Sequence, residues 1–380
     1  MNNNSSLQVL MDGIIFELQS RGGISRIYKE ILPRMCDLDD ALRITLFGDK
    51  RKKQALPEHA HIDPVNIPTF RQFLRPGSLW MPMITKMRDS ARQRRLGSGS
   101  GQIWHSTYYT LPQNWAGYQV LTIHDMIYEQ FAFLFNTRDD HWVRTYKRQC
   151  IQNADVIICV SESTKNDLLE YYQVKDKEIR VIYSAYSRVF KPINKDEIIP
   201  DLRNQKPFFL YVGRRLHHKN FVQMLRAYSI WPSRDSVDLL IVDRTPWSSG
   251  ERRLLAELGI GGSVHLQLNV SDLELCQLYN QAEAFIYPSL YEGFGIPLLE
   301  AMACSCPVIA SRIPSTIEVA GEIPFYFEPN SIDDLCETFN TALSLGKNTP
   351  RVQQGLEKVK DYSWEKTALQ TLNVYRDFFT

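Results

Sequence analysis

One pattern constrains the fold more than any other: short apolar runs alternate with helical or irregular stretches along most of the chain. In the first half the runs are Val9 to Ile15, Arg43 to Phe47, Gln102 to His105, Gln119 to Ile123 and Val156 to Val160. A polar stretch from Ser187 to Lys206, carrying Pro192 and Pro200, then breaks the rhythm. It resumes at Phe208 to Val212 and continues through Leu239 to Val242, Val264 to Leu266, Ala284 to Tyr287, Pro307 to Ala310 and Phe325 to Phe327. Strands that alternate with helices pair in parallel, so the pattern predicts an α/β protein of two doubly wound halves.

At 380 residues the chain is too long for one ordinary core. The expected division is a first domain over residues 1–190, a linker at 191–206, a second domain at 207–362 and a closing segment at 363–380. In that segment Ser363 caps an amphipathic helix expected to cross back over the first domain. Ligands of doubly wound sheets sit beyond the carboxyl ends of the strands, so two facing halves are expected to hold a ligand in the cleft between them. No apolar run reaches about 18 residues, and the first residues lack a basic patch followed by an apolar stretch. Neither a membrane span nor a secretory leader is expected. The seven cysteines are scattered and form no C-x-x-C pair, which points to a reducing, cytoplasmic compartment.

Charge is uneven. Residues 1–190 carry 25 basic against 20 acidic side chains, while the remainder carries 19 against 23. The excess is concentrated between Lys50 and Arg95, with 11 basic and 3 acidic residues. Such a patch draws anionic partners. Its portion from Arg71 to Arg95 is interleaved with Phe73, Leu74, Trp80 and Met81, a combination read here as peripheral contact with an anionic membrane. No readout motif accompanies it, so nucleic acid is not an expected partner. The neighbouring Gly97-Ser98-Gly99-Ser100-Gly101 reads as a flexible loop or linker.

The chemistry concentrates in Pro288-Ser289-Leu290-Tyr291-Glu292-Gly293-Phe294-Gly295-Ile296-Pro297-Leu298-Leu299-Glu300. It follows a strand, and Pro297 belongs in the first turn of the next helix, where its missing N–H costs nothing. Glu292 then lies in the loop and Glu300 within the helix, so the two carboxylates face a ligand from different levels. Gly293 and Gly295 let backbone approach that ligand, and a helix start favours negative charge such as a diphosphate.

This window resembles the E-x7-E motif of the retaining GT-B glycosyltransferases of family 4. The resemblance covers nearly the whole chain. Tyr211-Val212-Gly213-Arg214-Arg215-Leu216-His217-His218-Lys219 is similar to the family's phosphate loop, Gly22-Gly23-Ile24 to its first glycine loop, and Thr122-Ile123-His124-Asp125 to its histidine strand. Val160-Ser161-Glu162-Ser163-Thr164 resembles a further cleft loop, and Ser363-Trp364-Glu365 the closing helix. Within the family the chain is most similar to bacterial exopolysaccharide and O-antigen glucosyl- and mannosyltransferases, among them the cyanobacterial heterocyst-envelope polysaccharide enzyme.

The resemblance implies a GT-B fold of two Rossmann-like domains, the first on the acceptor side and the second binding nucleotide sugar. It implies transfer of a hexose with retention, from a nucleotide diphosphate sugar, UDP-glucose first, to a polysaccharide or lipid-linked acceptor. By resemblance Arg214 and Lys219 grip the diphosphate and Glu300 takes the ribose hydroxyls. Glu292 with Gly293, Phe294 and Gly295 holds the sugar, and Gly23 lines the donor from the first domain. His124 and Glu292 stand at the reacting centre. Arg presents a fork of donors to phosphate oxygens and Lys a movable charge, as these tasks require. No metal or other cofactor is expected, since Arg214, Lys219 and a helix start can absorb the leaving charge. Asp37-Leu38-Asp39 is a D-x-D placed at a helix end rather than after a strand, and Cys304-Ser305-Cys306 has no partner pair. His105 reads as a core residue, and His217 and His218 as surface loop residues. Departures from the family pattern are Asp243 and Leu268 in place of glycines, Ser184-Ala185 near the hinge, and Ser305 before Pro307. The alternatives are a GDP-mannose-dependent mannosyltransferase, a GT-B sugar-nucleotide epimerase and a non-catalytic nucleotide-sugar-binding module.

Overall fold

The computed structural model describes residues 6–49, 52–67, 87, 90–91, 93–135, 137–174, 177–197 and 206–380. The chain divides into two compact units: Met1–Ser184 together with Ser363–Thr380, and Ala185–Tyr362.

The first unit is built on a seven-stranded sheet of order β3-β2-β1-β4-β5-β6-β7, parallel throughout. Its strands are β1 (Leu7–Asp12), β2 (Leu42–Gly48), β3 (Ile62–Asn66), β4 (Ile103–Ser106), β5 (Tyr118–Ile123), β6 (Val156–Cys159) and β7 (Glu178–Val181). β4 and β6 are buried at every residue, as strands of a parallel sheet covered on both faces must be. The apolar runs do not reach β3 and β7. Both lie at sheet edges and expose part of their residues, and β3 carries Pro64, whose missing N–H an edge tolerates.

The run Val9 to Ile15 is not a single strand. β1 stops at Asp12 and a short helix, Ile14–Leu18, begins. The Ile14 amide donates to the Asp12 carboxylate at 3.1 Å, which turns the chain. Gly13 allows the turn, because a Cβ there would lie 2.8 Å from the Phe47 carbonyl oxygen.

The Gly97-to-Gly101 run is a packed turn rather than a flexible linker. Gly97, Gly99 and Gly101 have φ of 69°, 73° and 69°, a region that L side chains rarely adopt. The Ala116 amide donates to the Ser98 carbonyl at 2.8 Å, and the Gln102 amide to the Gly99 carbonyl at 2.9 Å. A Cβ on Gly99 would enter the Trp115 ring at 2.3 Å. Composition signals flexibility here only because it does not show the indole against which Gly99 packs. The segment 71–95 expected to touch membrane lies for the most part outside the described residues.

The closing helix, Trp364–Arg376, belongs to the first unit. Its N-cap Ser363 accepts the Lys366 amide at 3.2 Å. The helix lies against Gly23–Leu38. Thr367 Oγ1 donates to the Tyr183 carbonyl at 2.8 Å, and Arg376 reaches Asp39 at 2.9 Å. Tyr375 Oη meets His105 Nδ1 at 2.5 Å.

The second unit holds a six-stranded parallel sheet of order β10-β9-β8-β11-β12-β13. The strands are β8 (Phe208–Val212), β9 (Asp238–Asp243), β10 (Val264–Leu268), β11 (Ala284–Tyr287), β12 (Val308–Ser311) and β13 (Phe325–Phe327). Phe209, Trp231 and Phe339 form a ring cluster in its core, with centroids 5.2 to 5.5 Å apart. Burying a Phe side chain of this kind contributes roughly 1.5 to 3 kcal/mol. The Trp231 N–H is satisfied by Asn340 Oδ1 at 2.7 Å. Residues that open the expected linker dock on this unit: the Ile193 amide donates to Asn280 Oδ1 at 3.0 Å, and Asn280 Nδ2 to the Lys191 carbonyl at 2.9 Å.

Candidate functional site

In the second sheet the strand order turns back on itself between β8 and β11, which are hydrogen-bonded neighbours. Loops leaving two such strands in opposite directions open a crevice beyond their carboxyl ends. The loop after β8 carries Gly213 to Lys219, and the loop after β11 carries Pro288 to Gly295.

These loops meet. Lys219 Nζ donates to Glu292 Oε1 at 2.5 Å, and Ser289 Oγ to the same oxygen at 2.6 Å. The Leu290 amide donates to the His218 carbonyl at 2.8 Å. Desolvation pushes the Glu292 carboxyl upward, but Lys219 and Ser289 outweigh it and hold the group below its ordinary value. Glu292 therefore remains an anion, with its side chain 12% exposed. Tyr287 and Tyr211, buried beside that charge, have phenols raised first by burial and next by Glu292. Two residues expected to touch different parts of a ligand thus touch each other.

Glycine is required at Gly295, whose φ is 118°. It starts the helix Ile296–Ala303, with Pro297 in the first turn. Glu300, on that helix, is 4% exposed, and Tyr279 Oη approaches its Oε2 at 3.5 Å. Gly293 and Phe294 are also buried, the Phe294 ring lying 5.8 Å from that of Tyr362.

The two adjacent arginines differ. Arg214 is exposed, and its carbonyl accepts the Tyr211 hydroxyl at 2.8 Å. Arg215 has a side chain only 4% exposed and is fully engaged. It reaches Asp243 and Glu251 at 2.6 Å each, donates to the Thr245 and Pro246 carbonyls at 3.0 Å, and lies 4.7 Å from the Trp247 ring centroid. Asp243, which stands where the family pattern has glycine, is the partner of this second arginine.

His218 is not a surface residue: it is 7% exposed, whereas His217 is exposed. Burial first, and the Lys219 charge next, bring its imidazole down to about 4. The short helical turn His217–Lys219 rolls it inward, and Asn220 with φ of 55° ends that turn.

The first sheet reverses between β1 and β4. Asp12, at the end of β1, is fully buried and joins the two sides. Its carboxylate accepts the Thr107 amide at 3.0 Å and the Thr107 and Thr110 hydroxyls at 2.5 Å each. Desolvation raises this carboxyl despite those donors. Gly23, expected to line the donor, opens the helix Gly23–Leu38 and is exposed. Ser161, in the loop expected to line a cleft, caps the helix Glu162–Tyr171 by accepting the Thr164 amide at 2.9 Å.

His105 is a core residue whose nitrogens meet Tyr375 and Thr122. His124, just beyond β5, is 6% exposed, and neither ring nitrogen has a hydrogen-bond partner among the described residues. Desolvation first and the Lys147 charge second bring its imidazole down to about 3. A buried imidazole with two open nitrogens is costly unless a ligand group completes it.

Asp37 and Asp39 are paired within the protein, with His59 at 3.2 Å and Arg376 at 2.9 Å. Among the described residues no cluster of three or more His, Cys, Asp or Glu could hold a metal ion.

Residues 21–187 match the family described as Glycosyltransferase Family 4, and residues 193–358 that described as Glycosyl transferases group 1. O-antigen chain mannosyltransferase B of Escherichia coli is 26% identical over 373 residues, covering 93% of this chain and 96% of its own. Sucrose-phosphate synthase from Thermosynechococcus elongatus superposes with a TM-score of 0.77 at 20% identity, over 98% of this chain and 99% of the other. Anabaena HepE, solved with UDP and glucose, gives 0.72 at 17% identity, over 98% and 100%. The last two likenesses are of fold alone.

Proposed function

Since the chain is a family 4 domain followed by a group 1 domain, and so belongs to the GT-B glycosyltransferases, we propose that it moves a hexose, with retention, from a nucleotide diphosphate sugar to a polysaccharide or lipid-linked acceptor. The observation that carries this reading is the meeting of Lys219, Ser289 and Glu292 at the reversal point of the second sheet, with Glu300 buried on the following helix.

In this reading Arg214, which is exposed, and Lys219 bind the two phosphates. Glu300 accepts the ribose hydroxyls. Glu292 and the Gly293, Phe294 and Gly295 backbone bind the sugar hydroxyls, and His124 offers a neutral imidazole to the sugar from the first unit. Gly23 lines the same donor. The C1–O bond to the diphosphate breaks as the acceptor oxygen attacks from the same face, and the acceptor proton passes to the departing phosphate oxygen. Positive charge from Arg214, Lys219 and the start of the helix Ile296–Ala303 stabilises that leaving group, so no metal ion is required.

The E. coli relative's name favours mannose as the sugar. UDP-glucose, the donor expected from the sequence, is the second reading; the HepE complex with UDP and glucose supports it through fold alone. No helix among the described residues is long and apolar enough to cross a membrane. The proposal places the enzyme in the cytoplasm, meeting a carrier-linked acceptor at the membrane's inner face.

Calorimetry and nucleotide release over UDP-, GDP- and ADP-linked glucose and mannose test the reading, with Glu300→Ala as control. One donor is expected to bind, and the substitution to weaken it at least about tenfold, since it removes the carboxylate that accepts both ribose hydroxyls. Silence across the panel sinks the donor assignment, and sugar-nucleotide conversion without acceptor indicates an epimerase. Loss of turnover in EDTA, restored by manganese, removes the metal-free mechanism; an inverted product anomer or an adduct on Glu292 removes the same-face step.

A further inference from the structure

His124 does not hold its own ring. Its two nitrogens make no hydrogen bond of good geometry among the described residues, the Thr107 backbone acts on the ring only weakly, and Tyr28 meets it edge-on at 6.1 Å. Its aim is therefore set by the backbone at residues 124–125, and by whatever fixes that backbone.

The fixing group is charged and out of water. Lys147, on the helix Arg138–Asn153, has a side chain with no exposure at all. Its Nζ donates to the Asp125 carbonyl at 2.8 Å and to Glu129 Oε2 at 2.7 Å. Glu129, itself 9% exposed, accepts the Tyr172 hydroxyl on its other oxygen at 2.9 Å. The ammonium also lies 5.5 Å from the centroid of the Tyr109 ring, on a residue with φ of 52°. Three segments are tied together: residues 125–129, the Lys147 helix, and the end of the helix Glu162–Tyr171.

A buried ion pair is weak evidence for stability, since well-packed apolar residues of similar volume often serve as well or better. Packing alone does not account for a lysine here. What the ammonium does that a methionine could not is bond a main-chain carbonyl one residue beyond His124.

We propose that Lys147 is a positioning residue for the transfer reaction: by anchoring the Asp125 carbonyl it fixes the backbone that aims His124 at the donor sugar. The inference rests on the role given to His124 above. The groups that act on the imidazole are consistent with it. Burial first and the Lys147 charge next disfavour a cationic ring, while the Thr107 backbone opposes them. The lysine thus adds to burial in keeping the ring uncharged, as well as holding it in place.

Steady-state kinetics and imidazole nitrogen NMR on the full chain test this. Lys147→Met is expected to lower kcat about ten- to 150-fold, the effect of losing a charge-assisted hydrogen bond, with donor KM nearly unchanged. It is also expected to shift the His124 resonances. Lys147→Met combined with Glu129→Leu removes both charges. If the lysine served only to neutralise Glu129, kcat returns to the wild-type value in this double variant, and the inference is overturned; a kcat that stays low upholds it. Tyr172→Phe, a milder change that leaves packing intact, is expected to lower kcat about threefold through a loosened Glu129. Unchanged kcat and unshifted His124 signals in both Tyr172→Phe and the double variant also overturn it. His124→Ala separates the two readings. If that variant turns over normally, the role of His124 fails while the NMR shift still judges Lys147. If it is dead and Lys147→Met is fully active, Lys147 alone is wrongly assigned.

Discussion

Three histidines, His105, His124 and His218, are buried without charge, with imidazoles at about 3, about 3 and about 4 against an ordinary 6.5. In the unfolded chain each takes up a proton near its ordinary value; in the folded chain it does not. Between those limits the unfolded state binds more protons, so stability falls as pH falls from about 6.5. Glu292, whose folded value is depressed, contributes stability that is full above its ordinary 4.5 and is lost only below it. The window from about pH 6.5 down to about 4.5 therefore belongs to the histidines rather than to Glu292. The urea midpoint of the wild type is expected to drop between about pH 7 and about pH 5, and that of His124→Gln to drop less. Equal drops would show that His124 does not enter the unfolding balance. At this scale the sequence showed the ligand-type residues, because a charged side chain following an apolar run stands out. It could not show their internal partners. Asp243 and Arg215 lie 28 positions apart and meet only because β9 is the neighbour of β8. Lys147 and Asp12 look like ordinary polar residues until the fold surrounds them.

Among the elements, the turn from Gly97 to Gly101 makes a prediction opposite to its composition. A flexible linker tolerates alanine anywhere. This turn is expected to discriminate between its glycines. Gly101→Ala meets open space and suffers only from its positive φ, about 1 kcal/mol or a little more. Gly99→Ala adds a collision with the Trp115 ring and is expected to cost at least about 3 kcal/mol, since overpacking adds to strain. Thermal melts of the two variants decide it, and equal melting temperatures would restore the linker reading. The central strands were legible because a strand covered on both faces is an unbroken apolar run. β8, β11 and β13 have the bounds that the run lengths suggest. β3 and β7 were not legible, because an edge strand needs no such run. The short helix Ile14–Leu18 hid inside one, since its buried Ile14, Ile15 and Phe16 continue the apolar residues of β1.

For the whole molecule the decisive feature is that the first unit is discontinuous, its last helix arriving from the far end of the chain. A chain ended at Tyr362 would lose the Tyr375–His105 bond, the Thr367–Tyr183 bond and the Arg376–Asp39 pair together. Such a chain is expected to melt in calorimetry with its first unit strongly destabilised and its second, contiguous unit little changed. An undiminished first unit would mean that the helix is only an accessory. Two-domain organisation was readable from the interruption after residue 187, and the closing helix from its cap. Which interior it completes was not, because that depends on His105 and Tyr183, neither of which announces a distant partner.

The same discontinuity puts the two halves on different clocks while the protein is being made. Residues 185–362 are continuous and can fold as they emerge. The earlier half has every strand of its sheet by Val181 but lacks the helix that covers Gly23–Leu38 and supplies Tyr375. At about 5 to 20 residues per second, making the intervening stretch takes roughly 10 to 40 s. For that interval the portion translated first is the portion finished last, with an apolar helix face uncovered and a histidine awaiting its hydroxyl. Newborn chains stalled anywhere before residue 363 are thus the form of this protein most in need of a chaperone.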